Sequence, residues 1–172
     1  MPVRYPLVLV AALLLQLAAH PARDFFGDGA EVTSLLVASY VLLVAGFAFN
    51  ARYWFARILV VAALLNALAM GFNGWRMPVA PESLVRIGVA ETIEAALALE
   101  PPSPKSRVLE SGSTRLSPIT DSVVVSWPSP NAVSPGDVLA MAGILIAVPE
   151  LWRLKSRSRV PSQVAAKGHA DL

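Results

Sequence analysis

The chain has 172 residues, 55% of them hydrophobic and 15% charged, with a net charge of +2 and a mean hydropathy of +0.58. A soluble domain of this length carries roughly 25% charged residues, so the composition points to a membrane protein and leaves room for one bundle and one modest extramembrane segment. There is no cysteine, which excludes a disulfide framework, a thiolate metal site and a cysteine nucleophile. The two histidines, His20 and His169, have no partner at metal-ligand spacing, so no metal or other cofactor is expected. Nucleic acid is not an expected partner, because no folded basic domain or aromatic interleaving accompanies the positive residues.

The first apolar stretch, Pro6–Ala19, is short for a crossing and has the length of a signal-peptide core. Arg4 before it, and Ala18 and Ala19 after it, suit that reading. Pro21, Phe25 and Phe26 follow too closely for a clean cleavage site, which favours a retained helix. Val32–Asn50 is the clearest span: nineteen uncharged residues, about 28 Å of helix at 1.5 Å per residue. Ile58–Trp75 is the third, entered through the interfacial aromatics Tyr53, Trp54 and Phe55 and closed by Trp75. Within it Ala63, Ala67 and Gly71 make a small-xxx-small row. Asn66, mid-span, needs a buried partner and is expected to face the other helices.

Residues 76–134 form a long connection. Pro81 suits the first position of a short helix running to about Ile87. Glu91–Glu100 reads as a second, with Ile93, Ala96 and Leu97 on its apolar face. Pro101, Pro102 and Pro104 make an extended linker. The run Val123–Val125, followed by Trp127 and Pro128, reads as a short strand or an interfacial loop. Ser134-Pro135-Gly136-Asp137 then has the form of a capping box, with Ser134 as N-cap, Pro135 at N1 and Asp137 at N3. It opens a fourth span over 135–152, in which Gly143 and Ala147 repeat the small-residue row. Pro149 should kink its last turns. Glu150 has Arg153 as an i,i+3 partner. Residues 154–172 read as a basic, disordered tail that meets anionic lipid.

The charges sort by connection. The N-terminus, the 50–57 turn and the C-terminal segment hold eight of the fourteen positive residues and only two acids, Glu150 and Asp171. The two remaining connections hold ten of the twelve acids. The positive-inside rule then puts both termini in the cytoplasm of a multi-pass plasma-membrane protein, with 20–31 and 76–134 outside. The expected class is an all-α integral membrane protein: residues 1–153 as a four-span bundle (about 6–19, 32–50, 58–75 and 135–152), with one long extracytoplasmic loop carrying short helices.

Asn73-Gly74-Trp75-Arg76-Met77-Pro78, Thr114-Arg115-Leu116 with Asp121, and Ser134-Pro135-Gly136-Asp137-Val138 together resemble a bacterial family of small polytopic membrane proteins, domain of unknown function 5317. Its members carry an NGGRMPVS-like stretch, a TRL-containing loop and an SxGDV helix start. The resemblance runs over about residues 5–152. Trp75 stands where a second glycine is usual. The chain also lacks a further N-terminal hydrophobic segment found in relatives, which implies a shortened start. The resemblance implies architecture and no activity.

The residues matching the family, Asn73, Arg76, Thr114, Arg115, Asp121 and Asp137, are expected near the outer surface. They either pin the loop to the helix ends or converge into a polar site, with Arg76 or Arg115 clamping an anionic group. Asn73-Gly74 suits a left-handed helix C-terminus, and Asp137 has its capping role. Asp121 and Asp137 would be the pair of an intramembrane aspartyl hydrolase, although no peptidase-like motif surrounds them. The sequence therefore favours a non-enzymatic accessory or scaffold role, with lipids and other membrane proteins as partners. Binding or transport of a lipid or small anion is the first rival, and hydrolysis is the second.

Overall fold

The computed structural model describes residues 3–99, 103–110, 112–125 and 130–157. The chain is mostly helical. Its long helices are α1 (Pro6–Phe26), α2 (Ala30–Ala48), α3 (Trp54–Gly71) and α6 (Pro135–Arg157). Between α3 and α6 a cap is built from β1 (Met77–Val79), α4 (Pro81–Arg86), α5 (Ile93–Ala98), β2 (Ser106–Val108), a 3₁₀ turn (Ser117–Ile119), β3 (Val123–Val125) and β4 (Asn131–Val133).

Three helices are long and apolar enough to cross a membrane: α1, α2 and α3. The first is longer than the apolar run suggests. It continues through Pro21 to Phe26, and its 21 residues correct the fourteen-residue reading. The fourth helix also outruns its expected end, passing Pro149 and reaching Arg157, so the first residues of the basic tail are helical. The remainder of that tail, the Pro101-Pro102 linker and Trp127-Pro128 lie outside the described residues.

The helices pack in a row: α1 on α2, α2 on α3, α3 on α6. One core cluster joins Ala19, Val32, Leu36, Tyr40, Ala69 and Met70 at the cap end. A second joins Tyr53, Phe55, Ala56 and Leu59 at the other end, with Ala140 and Ala147 of α6 against it. The Gly143–Ala147 row therefore does face α3, and a Cβ on Gly143 would stand 2.9 Å from the Leu59 side chain. At the far end Asn50 is fully buried, accepting from the Arg4 N–H at 2.7 Å and donating to the Arg4 carbonyl at 2.8 Å. This closes the N-terminus onto the α2–α3 turn.

The α3 N-terminus has no side-chain cap of its own. Glu150 supplies one from α6: its carboxylate oxygens accept from the Trp54 and Phe55 N–H groups at 3.2 Å each. A carboxylate here satisfies two orphan donors and meets the positive end of the helix dipole. That contact, and no ion pair with Arg153 among the described residues, is where the Glu150 side chain goes.

The cap departs from a purely helical plan. β1 pairs parallel with β2 (Met77 with Ser106, Val79 with Val108), and Val79 also bridges to Asp121. β3 pairs antiparallel with β4, Val123 opposite Val133. Of the two readings of 123–125, strand or interfacial loop, the strand is the one present, and both short helices are present too.

Candidate functional site

The cap is tied to the helices by residues of the family-matching motifs. The end of α3 turns through Gly74 (φ 69°) and Trp75 (φ 58°), both left-handed. Glycine adopts this conformation without strain, so the position held by Trp75 is one that a second glycine, as in the NGGRMPVS-like stretch the segment resembles, would suit. Trp75 instead packs its ring beside the cap-end core. Asn73 donates to the Ala69 carbonyl (2.7 Å) and the Arg115 carbonyl (2.8 Å), and accepts from the Arg115 N–H (2.9 Å). This clasps the 114–116 segment to the helix end. Thr114 turns back locally, donating to the Glu110 carbonyl at 3.1 Å. The interaction of Arg115 with Asn73 is made by its backbone.

Arg76 is 4% exposed. Its guanidinium donates to Thr33 Oγ1 at 3.2 Å and to the Trp75 carbonyl at 3.1 Å, and stands 3.5 Å from Asp28. Arg23 reaches the same Asp28 at 3.1 Å. Arg76 thus binds the α3–β1 corner to the α1–α2 turn. Asp28 and Thr33 are partners that sequence reading did not assign to it, because no local spacing links residues 28, 33 and 76.

A second polar centre lies between α3 and α6. Asn66 donates to Asp137 Oδ1 and accepts from the Ser134 hydroxyl, both at 2.8 Å. The capping box is formed: the Asp137 N–H donates to Ser134 Oγ at 3.0 Å, and the Ser134 N–H donates to Asp137 Oδ2 at 3.2 Å. Asn66 therefore has the buried partner its position demands. The helices approach so closely here that a Cβ on Gly136 would stand 1.9 Å from Asn66 Oδ1 and 3.0 Å from the Ala62 carbonyl oxygen. The Tyr40 side chain, 4% exposed, faces the same group from α2.

Beside this centre the cap encloses a cavity of about 490 Å³. Its apolar wall includes Leu84 and Ile87 at α4, Val108 of β2, Val133 of β4 and Met141 of α6. Asp121, Asp137 and Lys105 supply its ionisable groups. The Asp121 N–H donates to the Pro78 carbonyl at 3.0 Å, which fixes the residue beside β1. Asp121 is 8% exposed, and its Oδ1 is buried without a hydrogen-bond partner. Burial pushes its pKa up to about 7, with a further push from the Asp137 charge and a smaller pull down from Lys105. A buried acceptor without a donor is costly unless something else supplies one.

The motif residues are thus divided rather than gathered. Asn73 and Arg76 hold the helix corner, Asp137 joins α6 to α3 while touching the cavity, and Asp121 belongs to the cavity. Lys105 and the apolar wall carried no signal in the linear chain: they lie in different segments, and pairing of β1 with β2 brings the Lys105 carbonyl onto the Met77 N–H.

No curated protein and no solved structure matches the chain. Residues 1–149 match the family described as Family of unknown function (DUF5317). A match over that much of the chain, together with the motifs that hold its cap in place, means that the chain belongs to this family.

Proposed function

We propose that this is a four-span plasma-membrane protein whose outer cap binds a lipid-like or other amphiphilic small molecule. The observation that carries this reading is the apolar cavity lined in part by Asp121, a residue whose buried Oδ1 has no hydrogen-bond partner. Concave, mostly apolar cavities with a few polar groups are the usual form of small-molecule sites. The fourth span is supported by the course of α6. It meets α3 at Asn66 through Asp137, at Leu59 through Gly143 and at Trp54 through Glu150, so it runs alongside a membrane-length helix from Trp54 to Asn66. The orientation, both termini cytoplasmic and the cap outside, rests on the positive-inside rule.

The test is uptake of a neutral apolar dye, N-phenyl-1-naphthylamine, by the protein in lipid nanodiscs. Saturable fluorescence above that of empty nanodiscs is expected, with loss in Ile87→Trp, which fills the cavity. Equal dye response in Ile87→Trp would overturn the reading. For the orientation, single cysteines at Ser103 and Ser156 are probed in intact cells with a membrane-impermeant thiol reagent. Labelling is expected at residue 103 only, and labelling at 156 only inverts the topology.

An accessory or scaffold role is the second reading, supported by the row arrangement of the helices. The row leaves apolar residues such as Leu13 and Leu17 of α1, and Leu145 and Val148 of α6, open to lipid or other membrane proteins. It predicts stable copurification of other membrane proteins. The small-anion variant has less support, since Arg76 already has the Asp28 carboxylate as its counter-ion and Thr33 as an acceptor, although its Nε has no hydrogen-bond partner. Hydrolysis has less still: both Asp137 oxygens are engaged, by Asn66 and by the Ser134 N–H. Full cleavage activity in either Asp121→Asn or Asp137→Asn would remove that dyad.

A further inference from the structure

Two carboxylates and one lysine line the cap cavity, and the two acids have unequal histories of satisfaction. Asp137 spends Oδ1 on the Asn66 amide and Oδ2 on the Ser134 N–H. Both of these donors are neutral groups. Asp121 spends its backbone N–H on Pro78 and has Oδ1 buried with no donor. Lys105 is the cation lining the same cavity, and it comes from the segment just before β2. The remaining wall is largely aliphatic. What the cavity lacks is therefore one hydrogen-bond donor carrying one positive charge, attached to an apolar body.

We propose that the cap cavity selects amphiphiles bearing a protonated amine, with the Asp121 carboxylate as the anchor for the ammonium group and the Leu84, Ile87, Val133 and Met141 side chains receiving the hydrocarbon. This inference rests on the binding reading above and names its ligand class. A charge-assisted hydrogen bond to a buried carboxylate is roughly twice as strong as a neutral one, so an amine is favoured over an alcohol of equal length. Burial, and then the groups facing Asp121, set its response to pH: burial and Asp137 from α6 hold it protonated, Lys105 opposes them, and Tyr40 of α2 lies within the field of both acids. Ammonium binding requires the ionised acid, so affinity falls as the pH drops through about 7, by up to tenfold per pH unit.

The experiment compares 1-octylamine with 1-octanol by titration calorimetry on the full chain in nanodiscs, with empty nanodiscs subtracted. At pH 8 the amine is expected to bind saturably and at least tenfold more tightly than the alcohol. That preference is expected to vanish in Asp121→Asn and to shrink at least tenfold at pH 5.5. The comparison of the two ligands on the unmodified chain stands even where a variant fails to fold. Equal affinities for amine and alcohol, unaffected by Asp121→Asn or by pH but abolished by Ile87→Trp, would overturn the anchor and leave the cavity reading intact. Saturable binding of neither ligand, together with failure of the dye test, would overturn both.

Discussion

Asp137 and Asp121 line one cavity, yet the protein treats them differently. Asp137 sits on the first turn of α6 with both oxygens engaged, where α6 meets α3 closely enough that Gly136 has no room for a Cβ. Asp121 sits on an irregular cap segment with one buried oxygen left open. A saturated buried polar group specifies geometry, because each lost partner costs free energy. An open one is a liability that a ligand relieves. The contrast separates a carboxylate engaged in a helix junction from one left without a donor, where one reading of the sequence made them a pair.

The largest expected effect breaks the structural side of that contrast. Gly136→Ala drives a methyl group into Asn66 and the Ala62 carbonyl, and should cost about 3 kcal/mol or more, or prevent folding, as overpacking against backbone does. Thermal unfolding in detergent reads it.

The open side is sharpened by pH. The folded-state pKa of Asp121 is raised from 3.8 to about 7. Its contribution to stability is therefore fully present below about pH 4, declines as the pH rises, and is lost above about 7. Asp121→Asn should stabilise the apo protein at pH 8 by at most a few kcal/mol and flatten its pH profile between 4 and 7.5. An unchanged profile would mean that the carboxyl finds solvent.

Next comes Asn66→Ala, which leaves Asp137 Oδ1 and the Ser134 hydroxyl without their shared partner. A loss of about 1–2 kcal/mol is expected, in the range of interhelical hydrogen bonds in membranes. Amine affinity should change far less than in Asp121→Asn; an equal loss would merge the two sites into one. Glu150→Gln, at the opposite end, should cost about 0.3–1 kcal/mol, the usual worth of a charge at a helix N-terminus, and leave the cavity unaffected.

Much of the scaffold was legible because its signals are local. Residues 134–137 spelled their own capping box, Asn73-Gly74 its left-handed turn, and Asn66 its need for a partner. Other features were not local. The extension of α1 past Pro21 depends on packing against α2, and Glu150 chooses the α3 N-terminus because two helix ends meet there. Trp75 looked like a departure from a motif; its positive φ shows what the glycine was for.

The sequence by itself determined that the chain has stretches long and apolar enough to cross a membrane, where its long helices run, and how α6 begins, since hydropathy, span length and capping act over neighbouring residues. Only the tertiary structure decided that Asp121 and Asp137 share a cavity, that one is saturated and the other open, and that Lys105 joins them. The cap's short strands bring together segments far apart in the chain, and a carboxyl's burial and partners exist only once they have met.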